Sequence, residues 1–220
     1  MSVDLPSTQG RARRRGRALA KSRRSWAGGF GAGAPRAAAI ALGLLLASCA
    51  GGSVLDTFDL SAARPAPARP MRAQLRVNEP IAGSDLDSDR ILVRTGPREV
   101  ATLAGAKWSD RLPLLVQSRL AQTFENANLL HQVGRRATAP ADYDLEIDIR
   151  TFELDVAQSR VEIDLAVKIV TVAGGRVVAA QIFTAEAPVA STSGAAVSAA
   201  LDGALSSVMT RIVAFVSARL

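Results

Sequence analysis

The sequence predicts an α+β fold in which an antiparallel or mixed sheet with a three-strand meander is covered by two amphipathic helices. Apolar and polar residues alternate along 143–156, 161–169 and 177–187, as in strands with one covered face. Two other segments, from about 109 to 126 and from about 195 onward, repeat their apolar residues every three to four positions, which is typical of amphipathic helices. Runs of strands and helices that do not alternate regularly favour the α+β class.

Shorter strands are predicted in the N-terminal half of the domain. The candidates are residues 57–61 (a first edge strand or a docking segment), 71–77, 90–94 and 100–103. The loop at 78–89 carries Asp85, Asp87 and Asp89, which imitate the start of a calcium loop. Position 6 of that loop is Arg90 rather than glycine, and position 12 is not glutamate, so a solvated acidic loop is the better interpretation.

The first predicted helix places a set of large apolar residues on one side. They are Trp108, Leu112, Leu115, Val116, Leu120 and Phe124. Ser109 is a plausible N-cap, and Pro113 falls in the first turn, where its missing N–H costs least. Trp108, Leu112 and Phe124 are therefore candidates for core packing or partner binding.

The predicted meander has two local signals. The apolar phase shifts between Ile149 and Phe152, which predicts a β-bulge near Arg150 or Thr151. Gly174 and Gly175 between the last two strands are typical of a hairpin turn. The helix that follows presents an apolar arc that we expect to lie on the sheet.

The N-terminus resembles a lipoprotein signal peptide over residues 1–48. A basic stretch precedes an apolar run of about ten residues, too short to span a bilayer, and the run ends at Leu46, Ala47, Ser48 and Cys49. This pattern resembles the lipobox of bacterial lipoproteins, in which Cys49 would carry a thioether diacylglycerol and an N-acyl chain after cleavage. The alternatives are a buried core cysteine and, more weakly, a twin-arginine signal at Arg23 and Arg24; the length of the leader also leaves the start codon open.

Charge is divided unevenly between the leader and the rest of the chain. Residues 1–48 contain nine Lys and Arg and one acidic side chain, whereas the remainder contains 18 basic and 19 acidic ones. A mature protein without positive excess is not expected to bind nucleic acid. We interpret residues 49–70, rich in Gly and Pro, as the lipidated N-terminus and a spacer, and 71–220 as the domain.

No catalytic or metal-binding arrangement is predicted. His131 is the single histidine and lies in an apolar run, where a histidine is usually structural, and Cys49, the single cysteine, would be occupied by its lipid, so neither a zinc site nor a Cys–His pair is expected. Glu146, Asp144 and Asp148 share one face of a strand, which is typical of a solvated face and only weakly of a glycosidase pair. The expectation is a protein that is not an enzyme and needs no cofactor.

Several segments together resemble the ABC-type transport auxiliary lipoprotein family, which includes the paraquat-inducible C type. The matching segments are residues 46–49, 58–60, 90–93, 108–120, 143–145 with Phe152, and the closing helix. The resemblance covers about 49–220, and 108–120 is its most specific part. One departure is Phe58, where tyrosine is common in the family.

The resemblance implies an envelope lipoprotein that is anchored at the periplasmic face of the outer membrane. Its implied partners are an ABC permease, the ATPase of that permease and a mammalian-cell-entry-domain substrate-binding protein. Together they would move lipids or other apolar molecules. Ala50 after Cys49 resembles outer-membrane sorting. Two alternatives remain: a scaffold lipoprotein that binds another outer-membrane protein, and a carrier that shields an acyl chain between sheet and helix. The sequence leaves the oligomeric state open, a homo-oligomer included.

Overall fold

The α+β fold is confirmed by the computed structural model, which describes residues 55–129, 133–134 and 141–220. These residues form nine strands in one mixed sheet and two helices. The strands are β1 (Asp56–Phe58), β2 (Leu75–Val77), β3 (Ile81–Ala82), β4 (Arg90–Gly96), β5 (Glu99–Trp108), β6 (Val133–Gly134), β7 (Tyr143–Asp155), β8 (Arg160–Thr171) and β9 (Val177–Pro188). The helices are α1 (Leu112–Asn126) and α2 (Gly194–Ser217).

Strand β7 organises the sheet. One edge of β7 pairs with β8 along its whole length, and β8 pairs with β9, so the predicted antiparallel meander is confirmed. The other edge pairs in parallel with three short strands in succession, β2, β3 and β4. Beyond them, β5 pairs antiparallel with β4, β1 parallel with β5, and β6 parallel with β2.

The turn and the bulge of the meander lie where the sequence predicts them. The β7–β8 register shifts between Ile149 and Thr151, which places the bulge at Arg150. Gly174 and Gly175 adopt φ of 86° and 62° in the β8–β9 turn, a left-handed conformation that glycine adopts without steric cost.

The core lies between the two helices and one face of the sheet, here called the inner face. Its largest buried side chains include four aromatic rings, Trp108, Phe124, Phe152 and Phe183, each no more than 2% exposed. Trp108 meets Phe152 edge to face, with ring centroids 6.0 Å apart. We call the opposite side the outer face.

The start of the first helix differs from the prediction. Trp108 ends β5 rather than opening a helix, and its N–H donates to the Asp89 carbonyl at 2.7 Å. The N-cap is Arg111 without a side-chain cap bond, so the predicted cap at Ser109 is wrong, whereas Pro113 does lie in the first turn. Strand β5 is also much longer than the predicted segment 100–103, because its middle is held by pairing with β4 rather than by its own pattern.

From Leu55 onward, the predicted spacer packs on the rest of the domain. Ala63 N–H donates to Thr123 Oγ1 at 3.0 Å, and Ala68 N–H donates to the Ala127 carbonyl at 3.0 Å. The proline-rich segment is extended, and the first helix and its C-terminal end supply partners for its backbone groups. Residues 49–54 lie outside the described part of the chain.

Helix α2 has the length and apolar composition of a membrane span. Eleven of its 24 residues are buried, and its apolar side packs on β8 and β9. These contacts are those of a core helix, and a core helix can be as long and as apolar as a membrane-spanning one. Its N-cap is Ser193, whose hydroxyl accepts a hydrogen bond from Ala196 N–H.

Candidate docking face of the sheet

A row of four residues crosses the outer face at the middle of the meander. Register pairs Ile81 with Asp148, Asp148 with Ala166, and Ala166 with Ile182, on strands β3, β7, β8 and β9. With adjacent strands about 4.8 Å apart, the two isoleucines stand roughly 14 Å apart. Because the residue between them on β8 is only an alanine, the surface is lower there than at Ile81 and Ile182.

This low point forms an open groove of about 340 Å³. Its lining combines apolar and charged side chains: Asn78, Glu79, Ile81, Glu146, Ile147, Asp148, Ala166 and Lys168. Ile81 is 68% exposed and Ile182, on the adjoining strand, is 53% exposed. A partner's apolar side chain placed here would gain contact on more than one side.

The rim of the groove is more acidic than basic. Arg111 donates to Glu79 at 3.3 Å, and Asp87 also accepts from the same guanidinium, a bond that raises the pKa of Arg111. Glu146 stands opposite Lys168 in the β7–β8 ladder. Asp148 pairs with Arg150 at 3.6 Å, so two of the three lining carboxylates are held by arginines, while the lining itself carries three carboxylates and one ammonium group.

Exposed apolar side chains are concentrated at two places in the described residues. Five lie on the outer face or the adjoining β8–β9 hairpin, and we call them the outer apolar surface: Ile81, Val172, Val177, Val178 and Ile182. The other two, Val100 and Val156, lie at the opposite end of the sheet. Clustered exposed apolar residues rimmed by polar ones are typical of interaction sites.

The residues singled out in the sequence divide into two groups. Trp108, Leu112 and Phe124 are 1%, 1% and 0% exposed, so the structure places them in the core and not on a binding surface. Cys49 and the preceding residues 46–48 lie outside the described part, as does His131.

Acidic side chains that could imitate catalytic or metal sites are paired with arginines and lysines. Asp144 receives a two-pronged hydrogen bond from Arg76, at 2.7 and 2.9 Å. Asp89 pairs with Lys107 at 3.3 Å. Within residues 55–129, 133–134 and 141–220, no group of three His, Cys, Asp or Glu side chains is arranged to hold a metal ion.

The residues of the groove were missed in the sequence because period-two patterns alone do not identify the covered face of an edge strand. Ile182 and Phe183 are adjacent, so one of them must face outward. The larger, Phe183, packs on Phe215 with centroids 5.6 Å apart. The neighbouring Ile182 and Phe183 could have indicated the groove from the sequence, because two adjacent apolar residues in a strand place one apolar side chain on the polar face.

The fold and this face together define a class: a two-layer α+β domain whose helices cover one side of the sheet and leave an apolar groove on the other. The sequence model of the ABC-type transport auxiliary lipoprotein component matches residues 57–213, most of the chain. The chain belongs to this family. The family name describes an auxiliary lipoprotein component of ABC-type transport.

Two solved structures and one sequence relative are similar to this chain. The crystal structure of a Xanthomonas campestris protein has 33% identity and a TM-score of 0.67, covering 74% of this chain and 96% of that one. A second crystal structure, 11% identical with a TM-score of 0.60, shares the fold over 74% of this chain. An uncharacterised Bradyrhizobium diazoefficiens protein is 34% identical over 151 residues, or 66% of this chain; the match spans only 40% of that relative's length.

Proposed function

We propose that the chain is a non-enzymatic lipoprotein, anchored through Cys49 to the periplasmic face of the outer membrane, that docks its sheet face on the mammalian-cell-entry-domain protein of its ABC transport system. The system would move lipids or other apolar molecules. The observation that carries this proposal is the outer apolar surface of a domain that belongs to a transport auxiliary family.

The anchor is supported by the sequence that precedes the domain. Leu46, Ala47 and Ser48 lead into the single cysteine, after an apolar run with a basic flank. A lipid anchor of two or more chains binds membranes stably, since each buried methylene contributes about 0.8 kcal/mol and a single chain is marginal. No other cofactor is proposed.

The docking surface is supported by its exposure, shape and charge. Full burial of an isoleucine side chain contributes about 1.5–3 kcal/mol, and Ile81 and Ile182 are more than half exposed, so each can contribute about 1–2 kcal/mol on docking. The acidic rim fits a partner whose apolar side chain is flanked by Lys or Arg.

The experiment is a binding titration of the mammalian-cell-entry-domain protein with the non-acylated chain from residue 50 onward. The double variant Ile81→Asp/Ile182→Asp should weaken binding by roughly 30-fold or more, from about 2–4 kcal/mol of lost burial. Val100→Asp is the control, because Val100 is 46% exposed at the other end of the sheet. Equal binding by the double variant and the wild type would overturn the docking face.

Capture of a different outer-membrane protein, with no binding to the mammalian-cell-entry-domain protein, would favour the scaffold function instead. A carrier function is disfavoured by the packing of the core. The space between helices and sheet, where an acyl chain would have to lie, is filled by Trp108, Phe124, Phe152 and Phe183. A carrier would need these side chains to move apart.

A further inference from the structure

We infer that the end of the sheet formed by the β4–β5 hairpin rests on the lipid surface, with Val100 and Val156 in contact with it. This inference rests on the proposed anchor at Cys49. It follows from two structural features: where the chain enters the fold, and how little chain remains between that point and the anchor.

The direction of entry is set by β1. This strand is parallel to β5, with Asp56 opposite Ala106 and Phe58 opposite Trp108. The start of β1 therefore points toward the start of β5, which is the β4–β5 turn. A chain arriving at Asp56 comes from that end of the sheet.

The available length is short. Asp56 is seven residues after Cys49, so the connection spans at most about 25 Å when fully extended. Val100 is six residues before Ala106 along β5, which carries it about 20 Å toward the same end. Because the turn extends about 20 Å from Asp56 toward the side from which the chain enters, a connection of at most about 25 Å leaves the β4–β5 turn as the part of the anchored domain nearest the membrane.

The surface at this end is suited to a lipid interface. Val100 is 46% exposed and stands opposite Arg94; Val156 is 40% exposed, and its N–H donates to the Arg94 carbonyl at 3.1 Å. The two valines thus flank one residue. Pro97, Arg98 and Glu99 are exposed at the adjoining turn; the Glu99 side chain lies beside Gly96, and the Arg98 guanidinium can bind headgroup phosphates. Apolar side chains beside a cation match the boundary between acyl chains and headgroups.

The same geometry places the β8–β9 hairpin far from the membrane. Asp155, at the end of β7, pairs with Arg94, whereas Tyr143, at its start, pairs with Thr171 next to the hairpin. Twelve residue steps of strand separate the two, or about 40 Å. The exposed valines at the two ends therefore face different surroundings: lipid at one end and the periplasm or a protein partner at the other.

The test attaches an environment-sensitive fluorophore to a single introduced cysteine in the lipidated protein. Cys49 is the only natural cysteine and is blocked by its lipid, so labelling is confined to the introduced site. Val100→Cys is compared with Val172→Cys, which is the matched control because Val172 is 45% exposed at the far end. The protein is inserted in vesicles of phosphatidylcholine and phosphatidylglycerol that contain a lipid with a quencher in its acyl chain.

The expected result is at least about twofold stronger quenching at residue 100 than at residue 172. Equal quenching at the two sites, or stronger quenching at residue 172, would overturn the inference. Intact mass is measured on the same samples. A chain without added acyl mass would overturn the anchor and with it the proposed function, whereas an acylated chain without preferential quenching at residue 100 would overturn only the orientation.

Discussion

The assignment of the two faces of β9 makes a sharp prediction for two adjacent residues. Phe183 is 2% exposed, its ring meets Phe215 at an interplanar angle of 82°, and the Arg211 guanidinium lies 5.9 Å from its centroid. Phe183→Ala should therefore lower the free energy of unfolding by about 3–5 kcal/mol. About 0.5–1.5 kcal/mol of this loss comes from the aromatic pair.

Ile182→Ala is the matched control for that loss. Ile182 is 53% exposed on the outer face, so its truncation should cost less than about 1 kcal/mol, mainly through strand propensity. Urea denaturation of the non-acylated chain measures both values, and an unchanged m value confirms that the same surface unfolds.

The two variants also test which face of β9 is packed. A register slip of one residue would exchange the faces of the whole strand. If Ile182→Ala costs as much as Phe183→Ala, the proposed outer face of β9 is its packed face, and the docking groove does not exist as described.

Three further predictions concern the N-terminal segment and the start of α2. Thr123→Val should cost about 1–2 kcal/mol in urea denaturation, because the buried hydroxyl accepts from Ala63 N–H and donates to the Arg119 carbonyl at 2.7 Å. The Arg119 hydrogen bond lowers the pKa of Asp59, so the Asp59–Arg119 pair stabilises the fold above about pH 4. This stabilisation is lost as the pH falls through the lowered pKa of Asp59. The difference in the free energy of unfolding between the wild type and Asp59→Asn should therefore become smaller over the same fall in pH. Gly194→Ala should lower the melting temperature, since its new methyl group would lie 2.8 Å from a β5 side chain, whereas Gly203→Ala, with open space around it, should not.

The meander and both helices could be predicted from the sequence because each of these elements has its own apolar periodicity. Each of the long strands β7 and β8 repeats its apolar residues often enough to reveal the covered face, and the bulge at Arg150 appears as a phase shift. Helix α2 likewise has enough turns to define a continuous apolar arc. In a long element, one or two exceptional residues do not hide the apolar period, so the period identifies the element and its covered face.

The short strands and the proline-rich segment could not be predicted in the same way. Strands of two or three residues, such as β2 and β3, have no period to detect, and their parallel pairing is set by the free edge of β7. The proline-rich segment has the composition of a spacer. Its docking depends on distant groups, Thr123 and the carboxylate of Asp202, which accepts from Ser61 N–H at 2.6 Å.

Packing of the proline-rich segment on the domain limits how the domain can be oriented by the proposed anchor. A free spacer from residue 49 to residue 70 would let the domain turn in any direction, whereas a chain held from β1 onward leaves only a short connection to Cys49. Because β1 enters the fold from the β4–β5 end, the proposed anchor would direct the far hairpin and the neighbouring part of the outer apolar surface away from the membrane. Lengthening the chain between Gly52 and Leu55 by about 20 flexible residues should therefore weaken recruitment of the partner at membranes while leaving the affinity in solution unchanged. A loss of affinity in solution would mean instead that the segment itself is part of the docking surface.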